Sequence, residues 1–123
     1  MSASANVTLP ELTAEMTHEQ LEEFMGRARE ASELLKALSH ESRLLILCIL
    51  SRGERTVGEI EKILNMQQAI VSQQLARLRM EDLVKTRRDG RQIFYSIANP
   101  NVNDIVSLLY QMYCKPDEIA DHA

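Results

Sequence analysis

The sequence predicts a mainly α domain of the α+β kind, with about five helices and one two-stranded β-hairpin. Three observations carry that expectation. Aromatic residues are only 4% of the chain and Trp is absent, so the core must be built from Leu, Ile, Val, Met and Ala, a palette that favours helices. Apolar residues recur at intervals of three and four through most of the chain, the period of a helix buried on one face. One stretch instead alternates on both sides of Asp89-Gly90, a dipeptide that suits a type I′ hairpin turn because both central residues then need positive φ. At 123 residues with 45% hydrophobic and 26% charged side chains, one globular domain is expected. No apolar run reaches the ~20 residues of a membrane span, and the first ten residues have neither the basic start nor the apolar core of a signal peptide. No membrane partner is therefore expected, and the expected location is the cytoplasm.

Taken in order, residues 1–16 are rich in Ser, Ala, Thr and Glu without a sustained period, and read as a flexible N-terminal tail. A folded domain is expected over residues 17–115, followed by a C-terminal tail over 116–123. Thr17 with Gln20 has capping-box spacing, and Leu21, Phe24, Met25, Ala28, Ala31, Leu35 and Leu38 continue at helical intervals. Ser39 can cap a second helix, whose wholly apolar run Leu44 to Leu50 predicts burial on all sides and which Gly53 should end. Thr56 with Glu59 forms a second capping box, opening a short helix that turns Ile60, Ile63 and Leu64 inward. After an interruption at Asn65-Met66, a fourth helix runs from about Gln67 to Met80 with Ile70, Val71, Leu75 and Leu78 on one face. The hairpin follows, and a last helix from about Asn101 to Cys114 ends before Pro116.

This order is that of a winged helix-turn-helix, and the charge distribution points the same way. The formal net charge of -4 argues against a polyanion ligand. Between Gln67 and Ala98, however, six basic residues (Arg77, Arg79, Lys85, Arg87, Arg88, Arg91) face three acidic ones (Glu81, Asp82, Asp89). An acidic body carrying one basic segment can lay that segment on double-stranded DNA without binding anions everywhere. The outer face of the fourth helix offers Gln68, Ser72, Gln73 and Arg77, whose amide, hydroxyl and guanidinium groups can read base edges in a major groove. Arg88 and Arg91 flank the hairpin tip, where they would meet phosphates or the minor groove.

Four segments then carry a family resemblance: Leu38-Ser-His-Glu-Ser-Arg-Leu-Leu-Ile-Leu, Thr56-Val-Gly-Glu-Ile, Gln68-Ala-Ile-Val-Ser-Gln-Gln-Leu-Ala-Arg-Leu-Arg, and Leu83-Val-Lys-Thr-Arg-Arg-Asp-Gly-Arg-Gln-Ile-Phe-Tyr-Ser-Ile. In this order they resemble the ArsR/SmtB family of bacterial repressors. The resemblance implies a homodimer through the first and last helices, two recognition helices on successive major grooves of an inverted-repeat operator, and an inducer that releases DNA. It places recognition at Gln67, Gln68, Ser72, Gln73 and Arg77 and the wing contacts at Arg88 and Arg91. Gln67 stands where such helices usually carry a Ser or Thr cap.

Metal-sensing members carry cysteines on the third helix, or acidic and His ligands on the last. Here Glu54-Arg-Thr-Val-Gly-Glu-Ile has no cysteine, the last helix has no histidine, and His18, His40 and His122 lack ligand-like spacing. No metal and no cofactor are expected. Two cysteines remain, and in the cytosol they stay reduced at rest. By residue type alone Cys48 is a small buried hydrophobe, and Cys114 at a helix C-terminus faces a dipole that disfavours a thiolate. The resemblance reverses that reading, because one cysteine in the second helix and one near the end of the last is the arrangement of the family's dithiol branch, with its SqrR- and BigR-like persulfide sensors and HlyU-like regulators. It implies a redox or persulfide switch in which reactive sulfur species or oxidants link Cys48 to Cys114. Tyr110 and Tyr113 could shape a pocket there or belong to a dimer core. A metal- or metalloid-sensing repressor and a constitutive DNA-binding protein with inert thiols stay open as alternatives. No nucleophile-base pair, phosphate loop or carboxylate dyad points to a catalytic site or an enzyme.

Overall fold

A computed structural model describes residues 13–114. The tails expected over 1–16 and 116–123 fall outside it except at residues 13–16, where the Met16 N–H donates to the Thr13 carbonyl at 3.2 Å in a turn. The helices are α1 (His18–Leu38), α2 (Glu41–Leu50), α3 (Val57–Leu64), α4 (Gln68–Met80) and α5 (Pro100–Tyr113). The strands are β1 (Arg55–Thr56), β2 (Val84–Asp89) and β3 (Gln92–Ile97). Contacts divide the chain into two units between Leu34 and Leu35, inside α1.

In the first unit the expected capping box is present: the Gln20 N–H donates to Thr17 Oγ1 at 3.1 Å and the Thr17 N–H to Gln20 Oε1 at 3.0 Å. Leu21, Phe24 and Met25 are exposed in the single chain. The second unit holds the core, built on Ile46 and Leu47 of α2, Ile60 of α3, Val71, Leu75 and Leu78 of α4, and Val102 of α5. Within it, α2 packs against α3, α4, α5 and β3.

Several sequence expectations are corrected by this packing. Ser39 does not cap α2: its hydroxyl donates back to the Lys36 carbonyl at 2.8 Å and serves the end of α1, while His40 is the N-cap residue without a side-chain cap bond. The apolar run of α2 is not buried all round, since Leu45 is exposed and Leu44, Cys48 and Ile49 are half-buried. Ile63, in α3, is 55% exposed and Ile70, in α4, is 41% exposed. In both helices the buried arc is narrower than the apolar stripe. The Thr56-Glu59 capping box of α3 is present, and Asn65 ends that helix in the left-handed region at φ 53°, a conformation that Asn tolerates better than most residues.

The expected two-stranded hairpin forms from β2 and β3, and a strand not expected from the sequence joins its sheet in the order β1-β3-β2, because Arg55 and Thr56 pair antiparallel with Tyr95 and Phe94. A two-residue strand is too short to show a period, and in the sequence Thr56 reads only as a helix cap. Asp89 pairs with Gln92, so the hairpin loop is Gly90-Arg91 and not Asp89-Gly90. Gly90 takes φ +66° and Arg91 is not among the positive-φ residues, which is the type II′ pattern, with glycine at the first central position. Asp82 at φ 60° ends α4, with the Leu83 N–H donating to Leu78 O and the Asp82 N–H to Arg79 O, both at 3.0 Å, a Schellman closure on a non-glycine residue. The chain then enters β2 through the buried pair Leu83 and Val84.

Candidate functional site

Helices α3 and α4 with the turn at 65–67 form the helix-turn-helix. Burial of Val71, Leu75 and Leu78 fixes the rotation of α4, so Gln68, Ser72, Gln73 and Arg77 all lie exposed on its other side. Gln67 is the N-cap residue in extended conformation and makes no side-chain cap bond. Its amide is thus not spent on the helix end, and four of the five helix residues singled out in the sequence share the face of α4 that the core leaves open. Arg88 and Arg91 are exposed on the wing, and neither forms an ion pair among the described residues.

Not every base of the segment is free in this way. Arg87 donates to Glu54, with Nε 2.9 Å from Oε2, and its guanidinium carbon lies 4.6 Å from the Phe94 ring centroid. Hydrogen bonding from Arg87 holds the Glu54 carboxyl below the usual carboxylate range. Arg87 therefore ties β2 to the approach to β1, and its charge is answered within the protein. Arg77 lies 3.8 Å from Glu81, an exposed pair that DNA phosphates can compete for.

Sequence reasoning missed two residues here. Arg43 donates from Nε to the Ala37 carbonyl at 2.8 Å and from Nη1 to Gln74 Oε1 at 3.4 Å, joining the end of α1, α2 and α4. Ile70, assigned above to the core, stands exposed among the polar residues of α4. The arginine carries no periodic signal, and the isoleucine carries a misleading one.

The two cysteines stand on α2 and at the end of α5, two helices that pack on one another. Cys48 is half-buried near the end of α2, and Cys114 is the half-buried C-cap residue of α5, its N–H donating to Tyr110 O at 2.8 Å. Burial pushes the Cys48 thiol up, and Cys114 is near enough to push it further. Beside Cys48 lies an open cleft of about 480 Å³ whose lining also takes Ile49, Ser51 and Arg52 from α2 and its end and Val106, Ser107, Tyr110 and Gln111 from α5. Tyr110 lines the cleft, while Tyr113 is 75% exposed. Among the described residues no three His, Cys, Asp or Glu side chains converge as a metal site would need, and no helix is long and apolar enough to cross a membrane.

A helix-turn-helix with a polar outer helix, followed by a basic wing, defines a winged-helix DNA-binding regulator. Comparison with known proteins supplies the family: residues 40–86 match the bacterial regulatory protein, arsR family. The chain is 44% identical over 92 residues to the biofilm growth-associated repressor of Agrobacterium fabrum, covering 75% of this chain and 79% of the relative. It is also 44% identical over 96 residues to the transcriptional regulator YgaV of Escherichia coli, covering 77% and 97%. The structure of reduced HlyU from Vibrio cholerae superposes with a TM-score of 0.72 at 39% identity, covering 76% of this chain and 98% of that one. The chain belongs to the arsR family of transcriptional regulators.

The raised Cys48 thiol has a kinetic consequence, since only the thiolate attacks an electrophile. At neutral pH Cys48 should alkylate more slowly than a cysteine in an unfolded peptide, and its rate should keep climbing with pH after the peptide's rate has levelled. Cys114→Ser should remove only the smaller part of the delay, because burial is the larger cause. Iodoacetamide kinetics followed by mass spectrometry across pH checks both points; a Cys48 rate equal to the peptide's at neutral pH would contradict them.

Proposed function

We propose that this chain is a homodimeric repressor that holds an inverted-repeat operator while its thiols are reduced and releases it when Cys48 and Cys114 become linked through sulfur. The observation that carries the reading is the placement of the only two cysteines on two helices that pack together, near enough for Cys114 to raise the Cys48 thiol, with Cys48 opening onto a cleft. A relative named as a repressor supports the sign of regulation. Dimerisation is supported by apolar residues left exposed in the single chain, Leu21, Phe24, Met25 and Leu35 on α1 and Leu108 and Met112 on α5. Val102 takes no part in that face, since the protomer's own core buries it, and Ile105 and Leu109 are half-buried.

The chemistry balances with a persulfide, R–S–SH, as oxidant. One protein thiolate attacks the terminal sulfur, the S–S bond breaks, and R–SH leaves. The second thiolate then attacks the protein-bound sulfur of the new persulfide and expels hydrosulfide. Two protein thiols have lost two electrons, and the transferred sulfur has become sulfide. If both cysteines are first persulfidated, the same exchange leaves one extra sulfur in the bridge, which spans a wider gap than a disulfide whose Cα atoms must lie ~5.5–6 Å apart.

At the DNA interface Gln67, Gln68, Ser72, Gln73 and Arg77 read bases and Arg88 and Arg91 hold phosphates. Gln73→Ala should lose ~1–3 kcal/mol on the operator if it makes a bidentate base contact, and far less on random DNA. Arg91→Ala should weaken both and shallow the salt slope by ~1. Fluorescence anisotropy over a salt series separates the two effects; equal losses for Gln73→Ala on both DNAs would deny it a reading role.

The switch is tested by intact-protein mass spectrometry beside the same anisotropy assay. Persulfide treatment should remove two hydrogens per subunit, with or without added sulfur, and release the operator, and a dithiol reductant should restore binding. Cys48→Ser and Cys114→Ser should each bind DNA and fail to respond. Release by either single variant would refute the dithiol mechanism.

A further inference from the structure

The cleft beside Cys48 carries a cation, Arg52, that the linking chemistry alone does not require. Arg52 lies four residues after Cys48, in the turn just past the end of α2, and lines the same cleft. Its side chain forms no ion pair or hydrogen bond among the described residues, and it is exposed.

The end of α2 would ordinarily compete for that guanidinium, because the last carbonyls of a helix are unsatisfied and carry partial negative charge. Here they are already occupied. The N–H groups of Ser51, Arg52 and Gly53 donate to Leu47, Ile49 and Leu50 at 2.9, 3.1 and 3.1 Å, and the Ser51 hydroxyl donates to the Cys48 carbonyl at 2.6 Å. Across the cleft Ser107, Tyr110 and Gln111 add hydroxyl and amide groups, and no lining residue is acidic. The site therefore holds a sulfur nucleophile and a cation without an acidic partner among the described residues, in a volume within the range of small-molecule pockets.

We infer that the cleft selects carboxylate-bearing, amino-acid-derived persulfides: Arg52 receives the carboxylate and so sets the donor's terminal sulfur against Cys48. This rests on the dithiol reading above and adds the class of sulfur donor to it. Cys48 is then the attacking thiol, since it lines the cleft, and Cys114 the resolving one. Cys48 takes the terminal sulfur of R–S–SH, releasing R–SH, and Cys114 displaces hydrosulfide from Cys48. Arg52 is a positioning residue and touches no reacting atom.

The test uses the reduced full-length chain and follows formation of the Cys48–Cys114 link by mass spectrometry with three donors: glutathione persulfide, its diethyl ester, and inorganic disulfide. The wild type should react roughly tenfold faster with the acid than with the ester, the gain expected of one charge-assisted hydrogen-bonded pair. Arg52→Gln should abolish that preference and leave the inorganic donor's rate unchanged; Arg52→Lys, keeping the charge without the planar fork, should retain part of it. Equal rates for acid and ester in the wild type, or an undiminished preference in Arg52→Gln, would overturn the inference while leaving the switch standing. Failure of all three donors to form the link would instead overturn the dithiol reading, and this inference with it.

Discussion

The burial of one side of α2 is the constraint on which the rest of the second unit depends. Ile46, Leu47 and Leu50 are removed from water against α3, α4, α5 and β3, so one ten-residue helix sets the positions of the helix-turn-helix, the wing and the last helix together. Each such side chain contributes about 1.5–3 kcal/mol by leaving water, and close packing means that none of these neighbours shifts alone. Cys48 sits on the side of this helix that the core leaves half-open. A covalent change at Cys48 therefore acts on the element that supports α4, and distance from the DNA face is no barrier to influence.

The electrostatics of the basic segment are more selective than its composition suggests. Arg87 is answered by Glu54 and stacked on Phe94, so it contributes rigidity to the sheet instead of charge to a ligand. Arg88 and Arg91 lie exposed next to it without acidic partners among the described residues. Ordering of the wing by one arginine and presentation of others beside it are separate tasks in a short stretch of strand. This separation is why an acidic chain can present a local cationic surface.

The helices and hairpin were legible because each has a local signature. Capping boxes at Thr17 and Thr56 form as their spacing requires, and the polar face of α4 is where the period puts it. What escaped is tertiary. Ser39 has the chemistry of a cap for α2, yet its hydroxyl finds the closer Lys36 carbonyl. Ile63 and Ile70 fit the apolar stripes, but the neighbouring elements cover only the centre of each stripe. Asp82 ends α4 in a conformation usually left to glycine, and β1 exists only because β3 offers it an edge. Of the site, the exposed polar face of α4 and the exposed wing arginines follow from periodicity and charge. The cysteine pair needed a family resemblance, since 66 residues separate the two thiols and no local pattern joins them. Arg52 needed the cleft.

In the proposed mechanism a sulfur link between α2 and α5 must reach the α4 helices of a dimer. Two recognition helices must sit about 34 Å apart to meet successive major grooves, so a small rotation of each subunit's α4 loses several contacts at once. The most direct measurement is the distance between the two α4 helices in the dimer, by pulsed electron resonance with a non-thiol spin label carried on an unnatural amino acid at position 79. The reduced protein should give a narrow distribution that shifts or broadens when Cys48 and Cys114 are linked and returns on reduction. Superimposable distributions in the reduced and linked states, with operator affinity lost in the linked one, would contradict this mechanism.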